Sequence, residues 1–286
     1  MAGVKRRIRK STKQRRLPIV CSKYPLVSVI IPVMNESRTI GRVIRESWKV
    51  DPETEVIVVV NGSKDRTRHI AERSGARVIY YEEALGHDIG RSIGAAHAKG
   101  DILLFVDGDI VIPSSELKPF VDAIKQGFDV ALNEYRGPVR KQAVHSVVLA
   151  KHSLNVLCSR PDLGGSSMTT IPHALHRKAM VRIGAEKLAV PPLAQAAAIA
   201  YKLNVAAVHY VSVGRENPRK RKHLRPDPLE RLIVGDHLEA IHWYLENTDS
   251  RGLKTDLSRM RGVLQSDEGA SEQLPSQAIL ETADES

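Results

Sequence analysis

Ile102-Leu103-Leu104-Phe105-Val106-Asp107-Gly108-Asp109 is an apolar run that closes on two carboxylates held one glycine apart. Such a run, with no polar alternation, has the pattern of a strand buried on both faces. Upstream, Val27-Ser28-Val29-Ile30-Ile31-Pro32 and Val56-Ile57-Val58-Val59-Val60 share that character, and a shorter strand is expected at Arg77–Tyr80. Pro32 is expected to end the first strand, because proline cannot donate to a ladder. Between the strands the period changes. Ser37 is placed to cap a helix carrying Ile40, Val43, Ile44 and Trp48, and further helices are expected around Arg66–Ser74 and Ile89–Ala98. Strands alternating with helices imply right-handed crossovers and a mostly parallel central sheet flanked by helices, an α/β class. Ligands bind beyond the carboxyl ends of such strands. Polar clusters stand there at Asn35-Glu36, at Asn61-Gly62-Ser63 and at Asp107-Gly108-Asp109.

Beyond Pro113 the pattern loosens. Helices are expected at Ser115–Gln126, Lys141–Leu157 and Leu229–Leu245, with strands near Val130–Asn133, Thr169–Leu175 and Val205–Val211. Residues 25–113 and 114–247 read as two halves of one domain. They are flanked by a basic arm (1–24) and an acidic tail (248–286), both expected to be largely disordered. The net charge of +10 is concentrated: every residue from Lys5 to Arg16 that ionises is basic, whereas no Lys or Arg follows Arg261. Like-charge blocks repel and rarely pack. The arm reads as a solvated tail or as a contact with an anionic membrane or nucleic acid. The aromatic share of 4% argues against a single-strand nucleic-acid binder, which stacks bases on aromatic rings. Cys21 and Cys158 offer neither metal spacing nor a disulfide framework. With no spanning segment or secretion signal, the expected location is cytoplasmic, peripheral at the inner membrane face if the arm binds lipid.

Two carboxylates as close as Asp107 and Asp109 repel one another, so the pair calls for a cation or shifted pKa values. Mg²⁺ or Mn²⁺ suits it, taking hard oxygen ligands from few protein groups and the rest from phosphate and water. Gly108 is expected to let the backbone turn so that both side chains face one ligand. An ordinary Asp-Gly turn is the plainer alternative.

Val27-Ser28-Val29-Ile30-Ile31-Pro32-Val33-Met34-Asn35-Glu36 resembles the opening strand of family 2 glycosyltransferases of the GT-A fold. Val59-Val60-Asn61-Gly62-Ser63-Lys64-Asp65-Arg66-Thr67 resembles their second strand and turn. Gly86-His87-Asp88-Ile89-Gly90-Arg91-Ser92-Ile93-Gly94 and Ala98-Lys99-Gly100-Asp101-Ile102 resemble the block that closes with the DxD motif. The resemblance runs from Leu26 to about Pro113. It implies a Rossmann-like nucleotide-sugar half (25–113), a mixed acceptor half (114–247), and transfer of a sugar from a nucleoside-diphosphate donor with a divalent metal. By resemblance Pro32, Asn35 and Glu36 line the nucleoside pocket, and Arg91 reaches the donor phosphates or stacks near the base. Asp107 touches ribose or metal, and Asp109 holds the metal on the diphosphate. Asn61 stands where the family commonly has an acid beside the base, and Val60 replaces another common Asp.

Inverting members supply a base ahead of a helix in the second half. The equivalent stretch here, Val190-Pro191-Pro192-Leu193-Ala194-Gln195-Ala196, holds no acid, and Glu186 is the nearest. Arg160-Pro161-Asp162-Leu163-Gly164-Gly165 and Lys222-His223-Leu224-Arg225-Pro226-Asp227-Pro228-Leu229 resemble segments of the retaining glucosyl-phosphoglycerate synthase type. That makes His223 a candidate third metal ligand by resemblance, set against an exposed histidine in a basic loop. The basic stretch from Arg215 to Arg225 reads as a lid over the diphosphate, favoured over a nucleic-acid patch because no aromatics are interleaved. Gly165, Ser166, Thr170 and His173 are acceptor candidates, set against an ordinary turn and a core histidine. The alternatives to a transferase are a non-catalytic binding protein on the same fold and a sugar nucleotidyltransferase. The latter is disfavoured because Val33-Met34-Asn35-Glu36-Ser37 lacks the glycine-rich turn a triphosphate needs. A sugar, a lipid-linked intermediate, a phosphorylated small molecule and a cell-envelope polymer are all open as acceptors.

Overall fold

Apolar, β-branched sequence forms the first four strands, β1 (Val27–Val33), β2 (Thr54–Asn61), β3 (Arg77–Tyr81) and β4 (Ile102–Phe105). Three helices connect them: α1 (Ile40–Ser47), α2 (Thr67–Arg73) and α3 (Ile89–His97). The computed structural model describes residues 24–139, 144–213 and 228–260. The basic arm before Tyr24, the basic stretch containing His223 and the acidic tail after Met260 lie outside the described residues. The second half adds α4 (Ser114–Lys125), β5 (Val130–Asn133), α5 (Ser146–Leu157), β6 (His173–His176), α6 (Arg177–Ile183), α7 (Pro191–Ala200), β7 (Val205–His209) and α8 (Pro228–Glu246).

Across the sheet the order is β3-β2-β1-β4-β6-β5-β7. β1 to β4 are mutually parallel where they pair, β6 runs against both neighbours, and β5 lies parallel to β7. Since β6 opposes both β4 and β5, those two point the same way. The carboxyl ends of every strand except β6 therefore open on one edge.

The two faces of the sheet carry separate cores. Val27, Val29, Ile31 and Val33 pack with Val56, Val58 and Val60 against α1 and α4. Ile30, Ile57, Val59, Leu103 and Phe105 face the opposite way, toward α3, α6 and α7. Outside α7, Leu154 of α5, Cys158 just after it, and Ala240 and Tyr244 of α8 form a third cluster with Ala196. Glycine lets α3 sit close to the sheet: a Cβ at Gly94 would fall 2.3 Å from Ile30 Cγ2.

Several expectations need correction. Pro32 does not end β1, which runs on to Val33. Pairing with β4 stops at Ile30–Phe105 while pairing with β2 continues, so Pro32 sits where only one neighbour remains. Ser37 does not cap α1. Its N–H goes to Asp65 Oδ2 at 3.1 Å, and the helix starts after Thr39. The strand expected at Thr169–Leu175 is confined to β6. Ser167 Oγ accepts from Thr169 N–H at 3.1 Å, a local bond that competes with a ladder. α5 is described from Ser146, where His145 caps it, and β7 stops at His209. α6 and α7 were not expected as helices. α7 begins with two prolines, tolerated in a first turn, and is buried on both sides, so it has no amphipathic stripe.

Leu253 opens a second unit, whose described residues, 253–260, hold no helix or strand. Among the described residues no helix is long and apolar enough to cross a membrane.

Candidate active site

A cavity of 370 Å³ opens at the carboxyl ends of β1, β2 and β4. Pro32 and Glu36 border it from the β1 side, Asn61 from the end of β2, and Asp107, Gly108 and Asp109 from the turn after β4. Arg91, on the first turn of α3, completes a group brought together from four separate stretches. The donor-side residues expected from the sequence thus meet in one place, apart from Asn35. That residue adopts a left-handed conformation (φ 59°), and its Oδ1 accepts from Lys64 N–H at 2.9 Å. Its side chain clamps two loops together and does not border the cavity.

Asp65 strengthens the same clamp. It accepts from Ser37 N–H, from Thr67 N–H at 2.9 Å and from the Thr67 hydroxyl, while Thr67 Oγ1 accepts from Glu36 N–H at 2.8 Å. Burial pushes the Asp65 carboxyl up, but these donors outweigh it and bring its pKa down to about 2. A folded pKa below the ordinary 3.8 means a stabilisation fully present above about pH 4 and lost as pH falls toward 2. The urea midpoint of the wild type should therefore fall faster than that of Asp65→Asn between pH 4 and 2. Parallel curves would refute the clamp. Asp65 is exposed, so solvent screening keeps the effect at about 1 kcal/mol or less.

Asn61 spends its amide on the neighbouring loop. Its Nδ2 donates to Gly86 O at 2.9 Å and its Oδ1 accepts from Leu85 N–H at 2.6 Å. An acid here would accept the second bond and repel the carbonyl, so the amide suits this loop. The loop leads to His87 and Asp88, which also border the cavity and were not singled out from the sequence. Asp88 is left-handed (φ 60°) and largely buried.

Arg91, only 4% exposed, joins both acids to the second half of the chain. Its Nε lies 2.9 Å from Asp88 Oδ1 as an ion pair without a directed hydrogen bond. Nη2 donates to Asp107 Oδ1 at 3.2 Å and Nη1 to Met168 O at 2.9 Å. The guanidinium thus positions Asp107 while bordering the cavity in which the sequence expects it to reach the donor phosphates or stack near the base. Burial pushes the Asp107 carboxyl up; Arg91 opposes this, while Asp109 and Asp88 add to it. Asp88 and Asp107 share the Arg91 guanidinium and the Asp109 charge acts on Asp107 beside them, a concentration of carboxylate oxygen suited to a divalent cation. Among the described residues no three His, Cys, Asp or Glu side chains are grouped to hold a metal. Asp107 and Asp109 fit the sparse oxygen coordination of Mg²⁺ or Mn²⁺, whose other positions go to phosphate and water. Gly108 is required for closeness, not for turning: its φ is not positive, and a Cβ there would fall 2.2 Å from Val33 Cγ1. Thr39 Oγ1 donates to Gly108 O at 2.7 Å and holds the turn down.

The expected acceptor residues surround this centre differently. His173 is 1% exposed and stacks on Phe105 at 4.9 Å. Burial, with Arg91 nearby, brings its pKa down to about 3, so it is a neutral core histidine and not part of an open acceptor face. Gly165 lies against the backbone, where a Cβ would fall 2.5 Å from Arg136 O. Ser166 is buried, and Thr170 accepts from Lys151 Nζ at 2.7 Å. Glu186 lies in a 3₁₀ turn with its side chain 73% exposed and paired with Lys187, and it is not among the residues that border the cavity.

Gln195 was passed over because it is not an acid. Completely buried, it donates to Asn155 Oδ1 at 2.6 Å and accepts from Met168 N–H at 2.8 Å. Met168 in turn receives Arg91, so the amide supports the segment that positions Asp107. On α8, Asp236 is pushed up to about 6 by burial, then by the charges of Asp88 and Glu239. Nothing in its own stretch of sequence marked it.

The chain is 35% identical over 153 residues to glucosyl-3-phosphoglycerate synthase of Mycobacterium tuberculosis, a match covering 48% of this chain and 47% of that protein. It is 34% identical over 114 residues to undecaprenyl-phosphate 4-deoxy-4-formamido-L-arabinose transferase of Edwardsiella ictaluri, covering 36% of this chain and 35% of the relative. The chain thus spans less than half the length of these curated relatives. The crystal structure of the M. tuberculosis synthase with Mn²⁺, uridine diphosphate and phosphoglyceric acid superposes with a TM-score of 0.58 at 21% identity, over 76% of this chain and 78% of that one. That likeness supports the GT-A fold alone. Residues 28–178 match the family model for glycosyl transferase family 2, more than half of the chain, and they contain every residue that borders the cavity; the chain belongs to that family.

Proposed function

We propose that the chain transfers a glycosyl group from a nucleoside-diphosphate sugar to an acceptor hydroxyl, with Mg²⁺ or Mn²⁺ held at Asp107 and Asp109. One observation carries the reading: the Asp107-Gly108-Asp109 turn, oriented by buried Arg91, opens into a cavity bordered by Pro32, Glu36 and Asn61. The relatives' activities support it, as does the Mn²⁺ and uridine diphosphate bound by the M. tuberculosis synthase. Pro32, Asn61 and the Gly86 loop wall the nucleoside, and Asp109 faces the diphosphate. When bound, the cation neutralises charge on the departing nucleotide. The bond from the anomeric carbon to the diphosphate breaks as the bond to the acceptor oxygen forms. The acceptor proton passes to the departing diphosphate, because the first turn of α7 offers two prolines and no acid. Such a same-face transfer retains the anomeric configuration. His223 is the remaining candidate for the cation, and the basic arm offers a contact for an anionic membrane surface.

The missing acid also favours a second reading, a protein that binds the donor without turnover. Thermal unfolding with a panel of nucleoside-diphosphate sugars, with and without Mn²⁺, tests the first reading. A ligand at about 100 times its Kd should stabilise the folded state by roughly 2.7 kcal/mol. A metal-dependent shift for one donor, with sugar transfer or donor hydrolysis, supports the transferase. A shift without either supports the binding protein, and no shift with any donor overturns both.

A further inference from the structure

Lys151 projects from the inward face of α5, one turn before Asn155. Its ammonium makes one hydrogen bond, to Thr170 Oγ1 at 2.7 Å, and among the described residues no carboxylate pairs with it. Burial, with a smaller contribution from Arg91, brings its pKa down to about 8. A half-buried cation whose only described partner is a neutral hydroxyl keeps donor capacity and charge for an anion.

Its position gives the missing partner a context. Arg91 holds Met168 O from the donor side, and Lys151 holds Thr170 two residues along the same segment. Asn155 and Gln195 fix the start of that segment by donating to Ser166 O at 3.0 and 3.2 Å. The segment is therefore a rigid partition, with the donor cavity's arginine on one part and an unneutralised lysine on the next. Unspent hydrogen-bonding capacity lies around it. Ser166 Oγ and His237 Nε2 are buried with no partner among the described residues, and His237 senses the Lys151 charge.

We infer that Lys151 and the Ser166–Thr170 segment bind an anionic group, phosphate or carboxylate, carried by the acceptor. The inference rests on the transferase reading for the word acceptor, but the anion site itself can be measured separately. An ammonium supplies donors in a compact charge, suited to either anion, and charge-assisted bonds of this kind are the strong ones.

The test is calorimetric titration of the full chain, with and without nucleoside diphosphate and Mn²⁺, using inorganic phosphate and malonate as probes. Wild type, Lys151→Met and Lys151→Arg are compared. The expected result is anion binding to the wild type, weakened at least about tenfold in Lys151→Met and restored to within roughly threefold in Lys151→Arg. Nucleoside diphosphate should bind all three alike. Preference for phosphate over malonate assigns a phosphorylated acceptor, and the reverse assigns a carboxylate. Absence of anion binding to the wild type, or equal binding to Lys151→Met, overturns the proposal. Failure of the nucleotide to bind while phosphate still does would overturn the donor reading and leave the anion site standing. Should Lys151→Met not fold, acetylation of Lys151 in the wild type, followed by mass spectrometry, gives the same decision. Phosphate or malonate should slow it, and an unchanged rate overturns the site.

Discussion

Asp109→Asn is expected to abolish the metal-dependent stabilisation by donor and to lower turnover roughly 10³-fold, about 4 kcal/mol of activation free energy. The substitution keeps the shape of the side chain and removes one negative oxygen from a pair that is too sparse to lose one. Unliganded stability should change little, because the substitution keeps the shape of a half-buried side chain and relieves its repulsion with Asp107. That combination separates a site residue from a structural one. The measurement is a thermal midpoint with and without Mn²⁺ and donor, beside steady-state rates. A variant that keeps both the metal-dependent shift and the rate would remove Asp109 from the site. A variant that simply unfolds would make it structural.

Arg91→Met should act in the opposite sense, on the fold first. Arg91 faces Asp88 and Asp107 and donates to Met168 O, with almost no exposure to solvent. Removing it leaves two acids facing each other and a carbonyl without its donor. Breaking a buried pair from one side costs about 3–5 kcal/mol, since the remaining charge stays sequestered. Arg91→Lys should recover only part of this, because one ammonium cannot reproduce a planar fork aimed at separate partners. Urea unfolding at neutral pH measures both variants. A loss below about 1 kcal/mol for Arg91→Met would show that the two acids are solvated and that Arg91 is not the centre of the network. At saturating Mn²⁺ part of the loss should be recovered, since a cation at Asp107 and Asp109 supplies the missing positive charge.

Gln195 shows how much of the site the sequence could carry. Its stretch could be searched for an acid, and the absence of one was plain. That a buried amide there supports the segment receiving Arg91 could not be read, because its partners Asn155 and Met168 lie 40 and 27 residues away. Asn35 illustrates the reverse. A polar residue at a strand end was read as facing ligand, whereas its left-handed backbone directs the amide to the neighbouring turn. Polarity at the end of a strand is visible in sequence; the direction of the side chain depends on the turn that follows.

By itself the sequence determined β1, β2 and β4, because strands buried on both faces must be apolar throughout, and it determined the Asp107-Gly108-Asp109 turn that follows the last of them. It also determined which boundaries carry polar groups, since those residues have no place within the runs. Only the tertiary structure decided that β6 enters backwards between β4 and β5, that Arg91 points at Asp107 and Met168, and that Lys151 meets no counter-charge among the described residues. Those outcomes rest on packing between segments far apart in the chain, where a side chain's partner is set by which surfaces meet and not by its neighbours in sequence.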